Sequence, residues 1–298
     1  MHGWIILDKP VGPGSTQAVS AVKRALRVGG YPKLKVGHGG TLDPLASGVL
    51  PIAVGEVTKL AGRLLDSDKA YEFTIRFGEE TATLDAEGAV VASSAARPTP
   101  AELEAVLPRF TGPITQVPPA YSALKIDGAR AYDLARAGEE VTLASREVVV
   151  RSLAPSRNLP GQELQEATLL AHVSKGTYIR SLARDIARAL GAVGHVTMLR
   201  RTKAGPFDLG HAITLDKLAE FGYARRLQEI LLPLRAGLDD IPALPLTSGQ
   251  AGALRQGRAL AGIAADDGQA FAMLDDVPVA LVEIRTGEVR VVRGFNLA

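Results

Sequence analysis

Two hydrophobic periods run along this chain. Trp4-Ile5-Ile6-Leu7 is an unbroken apolar run, which predicts a short buried strand ended by the turn composition of Asp8–Gly14. Val19, Val22 and Leu26 then recur at helical spacing, with Ser15 available as a cap and Gly29-Gly30-Tyr31-Pro32 as the break. A second helix is predicted from about Val57 to Leu65. From Tyr71 to Phe77 the pattern switches to strict alternation, so Tyr71, Phe73, Ile75 and Phe77 share one buried strand face. Thr99 and Pro100 open a helix near Ala101–Leu107.

Gln116–Lys125 is broken by prolines and reads as a loop or lid; helix-like Ala131–Ala137 and strand-like Glu147–Arg151 follow, then the polar stretch Ser156–Glu166. Thr168–Val173 is strand-like and turns through Ser174-Lys175-Gly176-Thr177 into the strongest helix of the chain. There Ile179, Leu182, Ile186 and Leu190 form the apolar stripe, and Arg180, Arg184 and Arg188 form a separate basic row. A cation at a helix start opposes the macrodipole, so Arg180 is expected to have a carboxylate partner. Leu232–Pro245 reads as a linker or domain edge. Beyond it come a short helix, Thr247–Leu254, and strands at Phe271–Leu274, Val279–Arg285 and Val289–Arg293, a tail the size of a compact accessory module.

Composition narrows the classes. A chain of 298 residues, 46% hydrophobic and 22% charged, suits one large or two smaller globular domains. No uncharged apolar run reaches membrane-spanning length, and the first residues lead straight into strand-like sequence, so neither a spanning helix nor a cleaved signal peptide is expected. Cysteine is absent, which removes disulfides, thiolate metal sites and a cysteine nucleophile, and fits a reducing, cytoplasmic setting. The histidines are scattered, so no metal site is expected. The formal net charge is only +2, but Lys175, Arg180, Arg184, Arg188, Arg200, Arg201 and Lys203 are opposed within their stretch by Asp185 alone. Such a cluster is either a phosphate-contacting surface or a solvated helix face.

The candidate chemistry centres on Gly37–Pro51, where Asp43 sits on a glycine-rich turn ahead of Pro44. Taken alone, this stretch leaves two readings open: Asp43 caps a helix that Pro44 starts, or it is a functional carboxylate.

Read together, the motifs resemble the TruB family of tRNA pseudouridine synthases. The matching residues are Gly3–Lys9-Pro10; Gly37-His38-x-Gly40-Thr41-Leu42-Asp43-Pro44-Leu45-Ala46-x-Gly48-x-Leu50-Pro51; and Lys69-x-Tyr71. Next come Gly78-x-x-Thr81-x-Thr83-x-Asp85-x-x-Gly88 and Gln116-x-Pro118-Pro119-x-Tyr121-Ser122-Ala123-x-Lys125. Lys175–Leu182 and Leu199-Arg200-Arg201-Thr202 complete a set that covers roughly the first two-thirds of the chain. Gly39 departs from the family pattern, which usually has Thr there, and so does Gly12-Pro13-Gly14-Ser15. Neither departure touches a residue the chemistry demands; loop stiffness and RNA contact are where either would be felt.

The resemblance implies an α/β (α+β) pseudouridine-synthase fold with a central mixed, largely antiparallel sheet. A catalytic domain over 1–243 would carry an RNA-contacting insert at about 116–150, and a small, mainly β, PUA-like RNA-binding module would span 244–298. Removal of the tail from about Leu246 is then expected to leave some turnover. By resemblance the activity is isomerisation of the T-loop uridine at position 55 of tRNA, with no metal or organic cofactor and no obligatory protein partner. Asp43 matches the catalytic aspartate, Arg180 the arginine paired with it, and Tyr71 the active-site tyrosine that stacks on the target base.

His38 matches the histidine that fills the space left by the extruded base; a loop histidine held by backbone groups is the alternative. Tyr178 and Leu199 match pocket residues, with plain core packing nearly as good for Leu199. Lys59 and Lys125 are weaker RNA contacts, and solvent exposure explains either equally well. Arg184, Arg188, Arg200, Arg201 and Lys203 would run along phosphates. Three routes stay open for the aspartate: attack on uracil C6, attack on ribose C1′, or passage through a glycal. An RNA-folding factor without chemistry is the competing class, and it has no need of Asp43. A nucleotide-phosphate loop at Gly37–Gly40 lacks the required Gly-Lys-Ser/Thr ending.

Overall fold

The fold is described from a computed structural model, which covers residues 1–297 except 123, 127, 128, 138–140, 142, 158, 160, 239 and 240. The strands are β1 (Gly3–Lys9), β2 (Val36–His38), β3 (Ser47–Val54), β4 (Lys69–Phe77), β5 (Glu79–Thr81), β6 (Val90–Ser93), β7 (Gly112–Gln116), β8 (Lys125–Ile126) and β9 (Ala129–Arg130). They continue with β10 (Arg146–Pro155), β11 (Glu166–Val173), β12 (Gly194–Ala204), β13 (Phe207–Asp208), β14 (Ala243–Pro245), β15 (Gly268–Leu274), β16 (Val277–Arg285) and β17 (Glu288–Gly294). The α-helices are α1 (Ser15–Val28), α2 (Ala61–Asp66), α3 (Pro100–Val106), α4 (Ala131–Arg136), α5 (Ile179–Ala189), α6 (Leu215–Tyr223) and α7 (Ser248–Arg255).

Among the described residues the central sheet runs β1-β3-β12-β4-β11-β10-β7, with β2 also on β3 and β13 on β12. It is mixed and largely antiparallel: β12 and β3 run parallel, and the other described pairings in this sheet are antiparallel. One edge of β3 pairs with β1 throughout, whereas the other is shared. Arg200 and Arg201 of β12 lie opposite Ser47 and Gly48, and β2 takes over opposite Ile52–Val54. The loop from Gly39 to Ala46 leaves the sheet where the partner of β3 changes. Gly48 has φ +102°, and a Cβ there would lie 2.1 Å from the carbonyl oxygen of Arg201, so this crossing requires glycine.

The unbroken apolar run of β1 is buried on both faces, as a run without alternation predicts. Ile5, Leu7, Leu50 and Ile52 face the main core with Val19, Val22 and Leu26 of α1 and Ile179, Leu182 and Ile186 of α5. Trp4, Ile6, Val49 and Ala53 face the opposite layer with Val57, Leu60, Phe207, Phe271, Met273, Leu281 and Phe295. The last four belong to the C-terminal part of the chain, where a four-stranded sheet β14-β15-β16-β17 is covered by α7. Trp4 Nε1 donates to the carbonyl of Leu234 at 3.1 Å, Lys59 Nζ to that of Gly294 at 2.9 Å, and the Asn296 amide to Glu56 at 2.7 Å. The expected separable tail therefore shares a core with the central sheet.

Other expectations shift. No helix follows Pro44: Ser47–Val54 is a strand, so Asp43 is not a helix cap. The helix expected over Val57–Leu65 is a 3₁₀ turn, Gly55–Lys59, followed by α2. Within the segment expected as an insert, Arg146–Val150 pairs with Gly112–Gln116 as part of the central sheet.

Candidate active site

The loop carrying Asp43 is fastened from several sides. Ser15, expected as a helix cap, instead uses its hydroxyl on the backbone of Leu42, accepting from the amide at 2.8 Å and donating to the carbonyl at 3.0 Å. Gly14 holds the N-cap position of α1, and its amide donates to Gln17. Lys9, fully buried, donates from Nζ to the carbonyls of Pro10 (2.8 Å) and Pro13 (2.7 Å), and the Gly12 amide reaches Pro44. Burial pushes the Lys9 ammonium down to about 8, against the opposing pull of Asp43. Arg201, 1% exposed, donates to the carbonyls of Val49 (2.8 Å), Thr41 (3.1 Å) and Gly40 (3.4 Å).

Asp43 meets Arg180 across this loop, with Oδ2 2.8 Å from Nη2. The Arg180 side chain is 6% exposed and that of Asp43 42%, so the pair has a buried cationic half and a half-open anionic half. The other guanidinium nitrogen lies 3.3 Å from Asp85 Oδ2, whose side chain is 3% exposed. Arg180 also donates to the carbonyls of Thr83 (2.8 Å) and Tyr121 (3.0 Å). Its cation at the start of α5 is thus offset by two carboxylates. Gln116 holds that helix start by accepting from the Tyr178 amide (2.8 Å) and donating to the Tyr178 carbonyl (3.0 Å).

Asp43 opens into a cavity of about 250 Å³ whose wall includes Tyr71, Ser122, Arg146, Tyr178 and Leu199. Tyr71 comes from β4, Leu199 from the adjacent β12, and Tyr178 from the residue before α5. The Arg146 guanidinium lies 4.9 Å from the centre of the Tyr178 ring, within cation–π range. A larger cleft of about 570 Å³ between α1 and α6 has no comparable buried charge network among the described residues.

The structure brings together Asp43, Arg180, Tyr71, Tyr178 and Leu199 and leaves other candidates apart. His38, at the end of β2, does not line the cavity. Burial and the charge of Arg201 lower its pKa, and its buried Nδ1 has no partner among the described residues. Lys59 pairs with Glu56 at 2.6 Å and reaches the C-terminal sheet instead. The side chain of Lys125 lies outside the described residues.

The basic row changes most. Arg201 is inside the protein, contrary to the expected phosphate contact, because its guanidinium is committed to loop carbonyls. Arg184 is held by Asp185 and the Val117 carbonyl, Arg188 by Glu80, and Arg200 by Asp8. Lys203 remains exposed. Asp85 and Arg146 are site residues to which sequence reasoning assigned no role. Asp85 lay within a quoted motif; Arg146 had no signal beyond its basic side chain.

Comparison with known proteins fits this arrangement. A family model described as TruB family pseudouridylate synthase (N terminal domain) matches residues 23–179, and the tRNA pseudouridylate synthase B C-terminal domain matches 180–239. The tRNA pseudouridine synthase B of Novosphingobium aromaticivorans is 62% identical over 100% of this chain and 98% of its own length. The chain belongs to the TruB family of pseudouridine synthases. That of Zymomonas mobilis is 60% identical over 99% of this chain and 96% of its own. A chain in the structure of an H/ACA RNP bound to a substrate RNA containing 2′-deoxyuridine superposes with TM-score 0.73 at 26% identity, covering 99% of this chain and 85% of that one. An archaeal box H/ACA sRNP Nop10-Cbf5 complex gives TM-score 0.71, again at 26% identity, covering 99% of this chain and 86% of the other.

Proposed function

We propose that this protein isomerises a uridine of tRNA to pseudouridine, that the target is the T-loop uridine at position 55, and that Asp43 is the catalytic carboxylate. The observation that carries this reading is the Asp43–Arg180–Asp85 network at a small cavity. Formation of pseudouridine breaks the N1–C1′ bond, turns the uracil, and joins C5 to C1′ with loss of the C5 proton. A carboxylate can divide this change into easier covalent steps. Arg180 keeps Asp43 oriented, and its planar fork suits that task better than a lysine's point charge would. Tyr71 supplies a face for the base.

A base in a folded loop must first leave its stack, at a cost of a few kcal/mol, before it can enter a cavity of this size. The C-terminal sheet would act as a PUA-like RNA-binding element, and the segment between β7 and β10 would lie over the RNA. No helix among the described residues is long and apolar enough to cross a membrane, and work on tRNA suits the cytoplasm.

The test is release of tritium from a tRNA transcript labelled at uridine C5, with the product mapped by position. Release from position 55 is the expected result. Tight tRNA binding without release would instead favour an RNA-folding factor.

A further inference from the structure

Two buried polar atoms on the cavity wall have no partner among the described residues, and both come from residues given no role so far. One is Nη2 of Arg146 and the other is Oγ of Ser122, a residue only 4% exposed. Buried donors are nearly always satisfied, so two orphans on one wall mark a place where a ligand's acceptors belong. Arg180 cannot serve such a ligand, because its nitrogens are already directed to Asp43, Asp85 and two carbonyls.

Arg146 differs in every respect. It has no ion pair with a described carboxylate, and its guanidinium rests over the ring of Tyr178. Its other terminal nitrogen lies where a Cβ at Gly176 would come within 3.2 Å, and Gly176 has φ +77°. A glycine there leaves room for the guanidinium. Arg146 opens β10 directly opposite Gln116, the residue that grips the Tyr178 backbone. Tyr178 and Arg146 are thereby tied to one frame through Gln116.

We propose that Arg146 donates from its unpartnered nitrogen to a carbonyl oxygen of the target uracil and stabilises the base while it is detached from the ribose. The proposal rests on the isomerase reading above. When the N1–C1′ bond breaks, its electron pair stays with the base and is delocalised from N1 onto O2 and O4. The charge is discharged when C5 bonds to C1′; the C5 proton then leaves to water and N1 takes up a proton in its place, so the product is a neutral isomer of the substrate. A half-buried cation whose Nη2 is shielded from solvent, fixed beside one of those oxygens, gains attraction as the charge develops, which is the condition for acting on rate rather than on binding alone. Ser122 supplies a neutral donor or acceptor to the same ring edge.

The test uses the full chain and C5-tritiated tRNA under single-turnover conditions, with tRNA affinity measured across a salt series. Arg146→Met is expected to slow tritium release about 100-fold or more, the range for loss of one such donor. Affinity and its salt slope are expected to stay near wild type, with Arg146→Lys recovering part of the rate. An unchanged rate in Arg146→Met would overturn the proposal. So would a loss confined to affinity with the salt slope reduced by about one, since that marks a phosphate contact. Should Arg146→Met fail to fold, wild type acting on a 2-thio or 4-thio target base decides the matter. Slowing with one of them supports the carbonyl contact, and equal rates with both overturn it. A wild-type protein that releases no tritium from unmodified tRNA is a separate result, which removes the isomerase reading itself.

Discussion

Arg180 sits where a helix disfavours a cation, and two carboxylates, Asp43 and Asp85, answer it. The oddity was legible in the sequence because helix periodicity fixes the start of α5 to within a residue or two. Asp43 stood out through its glycine-rich setting, whereas Asp85 did not. Its position depends on Leu84, a non-glycine residue at φ +61° whose carbonyl accepts from Val196 on β12 at 3.0 Å. That contact joins segments distant in sequence, and local pattern carries no trace of it. Lys9 gives a pH prediction at the same scale. Its pKa falls from 10.5 to about 8 on folding, so the unfolded chain binds more protons between those values. Stability from this group therefore rises with pH across that window, by at most about 1.4 kcal/mol per pH unit. Denaturant unfolding at pH 8 and 10 should show a less positive slope in Lys9→Met than in wild type; equal slopes would mean Lys9 keeps its ordinary pKa.

The elements the sequence could see are those with a strong period: β1, α1, β4, α5 and the strands of the tail. Its misreadings fall where tertiary contact decides. Pro44 looks like a helix start, yet the Val49–Val54 run that follows is packed from both faces and is therefore a strand. The charge run at Arg200-Arg201 looked like one exposed stripe, but neighbours on a strand face opposite ways. The register of β12 against β4 also shifts between Arg201 and Lys203. Arg201, two residues from the buried Leu199, is on the inward side, where it holds the Asp43 loop. Arg201→Met should destabilise the fold by about 1–3 kcal/mol for each buried carbonyl left unsatisfied, and slow turnover by loosening the loop. Its tRNA salt slope should match wild type. A normal unfolding midpoint with a reduced salt slope would return Arg201 to the RNA surface.

The whole molecule is built around a sheet whose β1–β3 end is covered on both sides. α1, α5 and α6 cover one face, and the C-terminal sheet covers the other. Strand periods in the tail were readable from sequence, but the docking was not, since Phe271 and Phe295 look the same whether they fill a private core or a shared one. Deleting the chain from about Leu246 would expose Trp4, Ile6, Val49 and Ala53, so the truncated protein should be insoluble or strongly destabilised. Calorimetry of the intact chain should show one cooperative transition. Two resolved transitions, with a soluble and active truncation, would make the tail a separable unit after all.

Asp43 carries the proposed chemistry. Wild type and Asp43→Asn, which preserves shape and removes the charge, should be compared for tritium release from C5-labelled tRNA with affinity measured in parallel. Release by wild type, lost in the variant while tRNA binding persists, is the predicted result. Release by Asp43→Asn at the wild-type rate would contradict it and leave the Asp43–Arg180–Asp85 network a structural device.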